Sequence, residues 1–282
     1  MNRLHPIYDL DGKEFWNAFW QCVACMHSLL GLLTSTDIIS LGHHWLWVNG
    51  IHHGDISYNN LMYNTSTKTN KPVGIVNNFD LATWVNHSTT NNNRTGTIPF
   101  MAINLLDGGL DGCTPRLYRH NMESFVWLLA YITVAEVVYK DHTIEISPPP
   151  QGVNTWFMDY DFRDCRAHIS SKRLLYRDYE YALRVSGHYF GYFEVVKVMT
   201  WYWSNFHNEL YDMKHTTQPK WLTPMAQEPI THEEDNPVHT LRVFVEAVGK
   251  SLGEGNAQKR FEKVKTLLLG VIDSMSAAVQ IV

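Results

Sequence analysis

The chain has 282 residues, 45% of them hydrophobic and 18% charged, which suits one large globular domain and excludes an intrinsically disordered chain. Net charge is −5, from 23 basic and 28 acidic residues with no basic run, so nucleic-acid binding has no electrostatic support and is not expected. Met1 to Lys13 is mixed polar without a signal-peptide core, and the most apolar stretch, Cys25 to Leu41, is broken by Ser, Thr and Asp37; no membrane span is expected, and the chain reads as intracellular.

In chain order, Phe15, Phe19, Cys22, Met26 and Leu29 recur at helical spacing and predict a largely buried helix over 14–30, ended by Gly31. Cys22 and Cys25 form a C-x-x-C on that helical pattern with no second pair nearby, so they read as buried thiols rather than a zinc or redox site. Residues 32–44 have no clear period and read as a loop, and 31–44 as an insertion of the kind a gene-model error leaves. Leu61-Met62-Tyr63 and Val73-Gly74-Ile75-Val76 predict two short strands, and the polar run 64–72 between them predicts a hairpin loop. A polar loop is expected over 87–95, a buried central helix over 122–138, and a surface break at Pro148-Pro149-Pro150. Further helical patterns cover 171–210, 237–252 and 256–278, so the chain after Asn121 is expected to be mostly helical. The Trp-rich stretch 200–206 reads as helix-packing core rather than a binding platform, and the fifteen histidines show no metal-ligand spacing.

The segment His53-Gly54-Asp55-Ile56-Ser57-Tyr58-Asn59-Asn60 carries the chemistry. It reads H-x-D-x-x-x-x-N followed by apolar residues, the catalytic-loop pattern of phosphoryl-transferring kinases. In that pattern the Asp accepts the proton of the attacking hydroxyl, and the Asn five residues later holds a metal ion on the phosphates. Asp55 is thus the candidate base and Asn60 a candidate magnesium ligand.

Three more segments follow in register. Together, 52–63 (HHGDISYNNLMY), 74–82 (GIVNNFDLA), 94–106 (RTGTIPFMAINLL) and 119–132 (RHNMESFVWLLAYI) resemble the fungal-specific protein-kinase-like family, a divergent branch of the eukaryotic protein-kinase superfamily. In that family they correspond to the catalytic loop, the metal-binding D-F-G region, the end of the activation segment and the central helix. The resemblance implies an α+β fold, mostly the helical C-terminal lobe with a small β-hairpin, in a single domain over 1–282 with kinase motifs at 52–132 and a helical remainder at 133–282. It implies ATP and Mg2+ as cofactors and transfer to a protein hydroxyl; the protein substrate or partner is not specified.

Position by position, the chain departs from the family pattern. Gly54 stands where protein kinases carry Arg, and Ser57 where Ser/Thr kinases place a Lys, although the family itself commonly has Ser there. Asn78 replaces the metal-binding Asp, and a neutral amide is a weak ligand for magnesium that carries phosphates. Asp80 is the weak candidate to substitute for it, because alternate residues of an extended segment face opposite sides. Asn104 replaces the structural Glu that ends the activation segment, and Asn121 an Asp that steadies the catalytic-loop backbone. Thr97 has a family counterpart that approaches the catalytic Asp; among Thr89, Thr90, Thr95 and Thr97 it is the one with a case beyond solvent exposure.

Only 54 residues precede Asp55, none of them forms G-x-G-x-x-G, and Lys13, at the start of a helical pattern, is their one lysine. The nucleotide-binding N-terminal lobe is therefore expected to be missing and the chain to be a truncated or catalytically impaired pseudokinase. Two rivals stand beside this reading. Aminoglycoside- or choline-type small-molecule kinases share H-G-D-x-x-x-x-N, which Gly54 favours, but lack the activation segment at Arg94 to Ala102. A non-catalytic interaction scaffold is favoured by the absent lysine and glycine-rich loop.

Overall fold

In the computed structural model of the chain, the two apolar runs at 61–63 and 73–76 pair as the expected hairpin. The structure describes residues 3–10, 12–24, 43–84, 95–107, 116–134, 137–140, 143–146, 165–177, 192, 194–203, 236–252 and 254–279. Strand β1 (His5–Pro6) opens the chain, followed by helices α1 (Gly12–Ala24) and α2 (His43–Val48) and the short strand β2 (Ile51–His52). Strands β3 (Leu61–Thr65) and β4 (Pro72–Val76) form the hairpin, with Met62 opposite Ile75, and β1 adds antiparallel to β3. The turn closes through Asn70 N to Ser66 O at 2.8 Å, with Asn70 at φ 51°, a conformation Asn tolerates.

Helix α1 buries Phe15, Trp16, Ala18, Phe19, Trp20, Cys22 and Val23 on a wide apolar face and leaves Lys13, Glu14 and Asn17 exposed on the other. It lies flat on the hairpin at Gly74, where a Cβ would fall 1.9 Å from Ala18 O. The Gln21 side chain accepts from Gly74 N at 2.9 Å in the same contact. Met26 and Leu29 of the predicted helix, and Cys25, lie outside the described residues, as do 31–42 of the predicted insertion.

Residues 43–44, read as the end of that loop, instead begin α2, and His43 and His44 are wholly buried. Polar residue type hid this, since His carries no periodic apolar signal.

After β5 (Thr83–Trp84), which pairs with β2, come α3 (Ile103–Asp107) and the central helix α4 (Tyr118–Val134). Every residue from His120 to Ala130 is buried, so α4 is the axis of the core. It starts four residues before the expected position and stops before the expected end. Val137 and Val138 belong instead to strand β6 (Val137–Lys140), paired with β7 (Thr143–Ile146). β-branched residues in that stretch favour pairing across a sheet over another helical turn. This hairpin is a strand pair within a second half expected to be mostly helical.

Helices α5 (Cys165–Arg177), α6 (194–203), α7 (Pro237–Ser251) and α8 (Asn256–Val279) complete the described chain. The last two match the expected periods to within a residue, and Asn236 caps α7 by accepting from Val238 N and His239 N. In α6, Thr200 and Trp203 are buried while Trp201 is exposed; residues 204–206 lie outside the described residues. The architecture is α+β, with small sheets and several helices. Among the described residues, no helix is long and apolar enough to cross a membrane.

Candidate active site

The catalytic-loop motif lies between β2 and β3, where the chain turns through a short 3-10 segment at Tyr58–Asn60. Its backbone is held by His53. That ring donates from Nε2 to Asn77 O at 2.8 Å and accepts at Nδ1 from Asp55 N at 3.3 Å. One nitrogen must therefore carry the hydrogen and the other must not, which selects the neutral ring. Burial, the largest influence, lowers the His53 pKa in the same direction.

Asp55 gathers three donors. Thr97 N and Thr97 Oγ1 donate to its Oδ1 at 2.8 and 2.7 Å, and Asn60 Nδ2 donates to its Oδ2 at 2.9 Å. The same Nδ2 also reaches Asp55 O at 2.9 Å. Asn78 Nδ2 donates to Asn60 Oδ1 at 3.1 Å, which brings the segment after β4 onto the loop. The structure thus places Asp55, Asn60, Asn78 and Thr97 in one hydrogen-bonded row, although they span more than forty positions of sequence. Asp80 stands apart: it is exposed and makes none of these bonds. Ser57 is buried and makes none of these bonds. Lys13 is exposed in the first turn of α1. Among the described residues, no cluster of three His, Cys, Asp or Glu side chains could hold a metal ion.

Gly54 explains its own identity. Its φ is +82°, and a Cβ there would lie 2.4 Å from Leu81 O, so no longer side chain fits this backbone. The cation comes from elsewhere. Arg116, just before α4, donates from Nη1 to Gly54 O at 2.8 Å and to Asn121 Oδ1 at 3.4 Å, and from Nη2 to Thr95 O. One guanidinium therefore ties the catalytic loop, the segment leading to Thr97 and the central helix. Burial pulls its pKa down to about 10, against the opposing pull of Asp55.

Residues 20–133 match the family model described as fungal protein kinase. That segment is fungal protein kinase-like. It spans less than half of the 282 residues but contains Asp55, Asn60, Asn78, Asp80 and Thr97. No curated protein and no solved structure gives a significant match to the chain.

Within the kinase-like segment, the sequence reading missed two residues. Arg116 belongs to none of the motifs and is adjacent to residues the motif reading left aside; a lone Arg carries no pattern. His43 lies at the edge of the presumed insertion, yet its Nε2 accepts from Asn121 Nδ2 at 2.8 Å. Asn121 thus spends both ends of its amide, donating to His43 and accepting from Arg116. It reaches the catalytic loop through the arginine. Asn104, at the lost Glu position, meets His120 Nε2 at 3.4 Å, while Glu123 accepts from Ile103 N and Trp127 Nε1, both at 2.9 Å. A buried carboxylate therefore still ties the end of the activation segment to α4, from a different position.

Proposed function

We propose that this chain is a protein-kinase-like domain, built as the helical lobe of that fold, whose phosphoryl-transfer machinery is impaired. The ancestral reaction is transfer from ATP to a protein Ser or Thr hydroxyl, with Asp55 as base. The observation that carries the reading is the row at the catalytic loop. Thr97 and Asn60 hold the Asp55 carboxylate, while the residue at 78 that meets Asn60 is an amide.

ATP and Mg2+ are the cofactors the family implies, and the donor set fits them poorly. A magnesium ion that carries phosphates is held chiefly by carboxylates. Positions 60 and 78 offer two neutral amides whose facing atoms already bond each other, and Asp80 is exposed and makes none of the bonds of that row. The Asp55 Oδ1 is already engaged by two donors from Thr97. What remains is a framework that orients a carboxylate without a strong site for the charge that develops on transferring phosphate.

A non-catalytic scaffold is the second reading, and one observation favours it. Phe79, Leu81 and Trp84, three large apolar residues within six positions after β4, are 39%, 41% and 58% exposed, and apolar surface left open in this way is what a partner would cover.

The test is a thermal melt of the purified chain with and without Mg·ATP. A ligand that binds only the folded state adds roughly 2.7 kcal/mol at a hundredfold excess over Kd. The expected result is a cooperative melt with an unchanged midpoint. A magnesium-dependent rise, with label transferred to protein by the wild type but not by Asp55→Asn, would overturn the impaired reading.

A further inference from the structure

Asn60 and Asn78 approach from different segments, the turn before β3 and the loop after β4, and meet at 3.1 Å. Which atoms meet is fixed by their neighbours. Asn60 Nδ2 faces Asp55 O and Oδ2, both at 2.9 Å, and these groups only accept. Asn60 Oδ1 is therefore turned toward position 78, and Asn78 has to present its NH2. The polarity of the whole row follows: Asn78 donates to Asn60, Asn60 donates to Asp55, and Thr97 donates to Asp55 from the other side. Each contact has one donor and one acceptor, with no cation required.

A carboxylate at position 78 would reverse the first link. Two acceptor oxygens would face each other across the 3.1 Å gap, beside the carboxylate of Asp55, and a cation would be needed to hold them together. The backbone does not decide between the two residues. Asn78 has φ +62°, in the left-handed region that both Asn and Asp tolerate. The difference is one of side-chain charge.

We propose that Asn78 converts the divalent-cation site of the kinase-like segment into an amide clasp, which joins the catalytic loop to the loop after β4 without a metal. The proposal rests on the kinase-like reading of positions 55, 60 and 78, and goes beyond it by giving Asn78 a present role instead of a lost one. The clasp holds Asn60 so that its NH2 stays on Asp55, and a single substitution at 78 decides whether that joint depends on a cation.

The experiment is a set of thermal melts, without nucleotide, of the full chain and of Asn78→Asp and Asn78→Gly, each in EDTA, Mg2+ and Mn2+. The wild type is expected to melt at one midpoint in all three. Asn78→Gly, which relaxes the backbone but removes the bond, should fall by about 2–4 °C and ignore both metals. Asn78→Asp should fall at least as far in EDTA and climb with increasing Mn2+ or Mg2+. A wild-type midpoint that rises with either metal would overturn the clasp, as would an Asn78→Gly midpoint equal to wild type. A fall in Asn78→Gly with no metal response in Asn78→Asp would overturn the conversion of a cation site. If Asn78→Asp does not fold in EDTA, refolding it in Mn2+ gives the same decision. None of these readouts uses ATP, so a failure here is separable from a failure of the impaired-kinase reading, which the wild type with Mg·ATP decides.

Discussion

Arg116 donates to Gly54 O, Thr95 O and Asn121 Oδ1, two of which are backbone carbonyls that no substitution can remove. Truncating it leaves those acceptors in a largely enclosed space with no replacement donor. Hydrogen bonds from a charged donor contribute about 1.5–3 kcal/mol each. Arg116→Met should therefore cost on the order of 2–4 kcal/mol, read as a lower urea midpoint with unchanged slope. Arg116→Lys should recover only part of that loss, because an ammonium on a flexible stem cannot fork to loop, segment and helix together. Full recovery by Lys would show that charge alone matters there. At this scale the sequence was informative wherever a motif set the spacing: Asp55, Asn60, Asn78 and Thr97 come together as a row. It was silent on Arg116 and His43, whose roles depend on how the chain returns to the loop after tens of residues.

Packing between α1 and the β3–β4 hairpin turns on a single missing side chain. A Cβ at position 74 would meet Ala18 O at 1.9 Å and the Ala18 carbonyl carbon at 2.7 Å, and backbone cannot move aside as a side chain can. Gly74→Ala must push the hairpin off α1 and stretch the Gly74 N to Gln21 bond. Overpacking of this kind costs roughly 1–3 kcal/mol. The expected result is a lower melting midpoint with faster hydrogen exchange at 73–76; an unchanged midpoint would show that the hairpin lies loosely on the helix. The hairpin itself was legible because two apolar runs flank a polar turn, and α7 and α8 because their periods are regular. The end of α4 was not, since an apolar run looks the same whether it continues as helix or crosses into β6. The start of α2 was hidden for the opposite reason, as buried histidines do not register as apolar.

Over the whole molecule, four histidines of the loop region are held on the neutral side. Burial, the largest influence in each case, lowers the pKa of His43 and His53 and brings His44 and His52 to about 4. Geometry agrees for His43: its Nε2 accepts from Asn121 Nδ2, so a proton on that nitrogen would face an NH2 group. His44 Nδ1 meets Tyr118 Oη at 3.0 Å inside the same packing. Lys172 is buried as well. It donates to Met101 O and lies 5.1 Å above the Trp127 ring, yet burial brings it to about 7, against the pull of Glu123.

Both kinds of group give the same sign on different sides of neutrality. An unfolded histidine takes up its proton below about 6.5, while these folded ones resist it, so the unfolded state binds more protons as pH falls and stability is lost. For His44 alone the loss between pH 6.5 and 4 is about 3 kcal/mol, a large share of the roughly 5–15 kcal/mol of a typical domain. An unfolded lysine keeps its proton up to about 10.4, while folded Lys172 releases it near 7, so stability rises with pH across that interval. The urea midpoint is therefore expected to fall from pH 6.5 to 5, before most carboxylates titrate, and to climb from pH 7 toward 10. His44→Leu should flatten the acid limb by about one proton, and Lys172→Met should flatten the alkaline limb while it keeps the stem packed on Trp127. If both limbs keep their slopes in the two variants, the buried bases are not what couples this fold to pH.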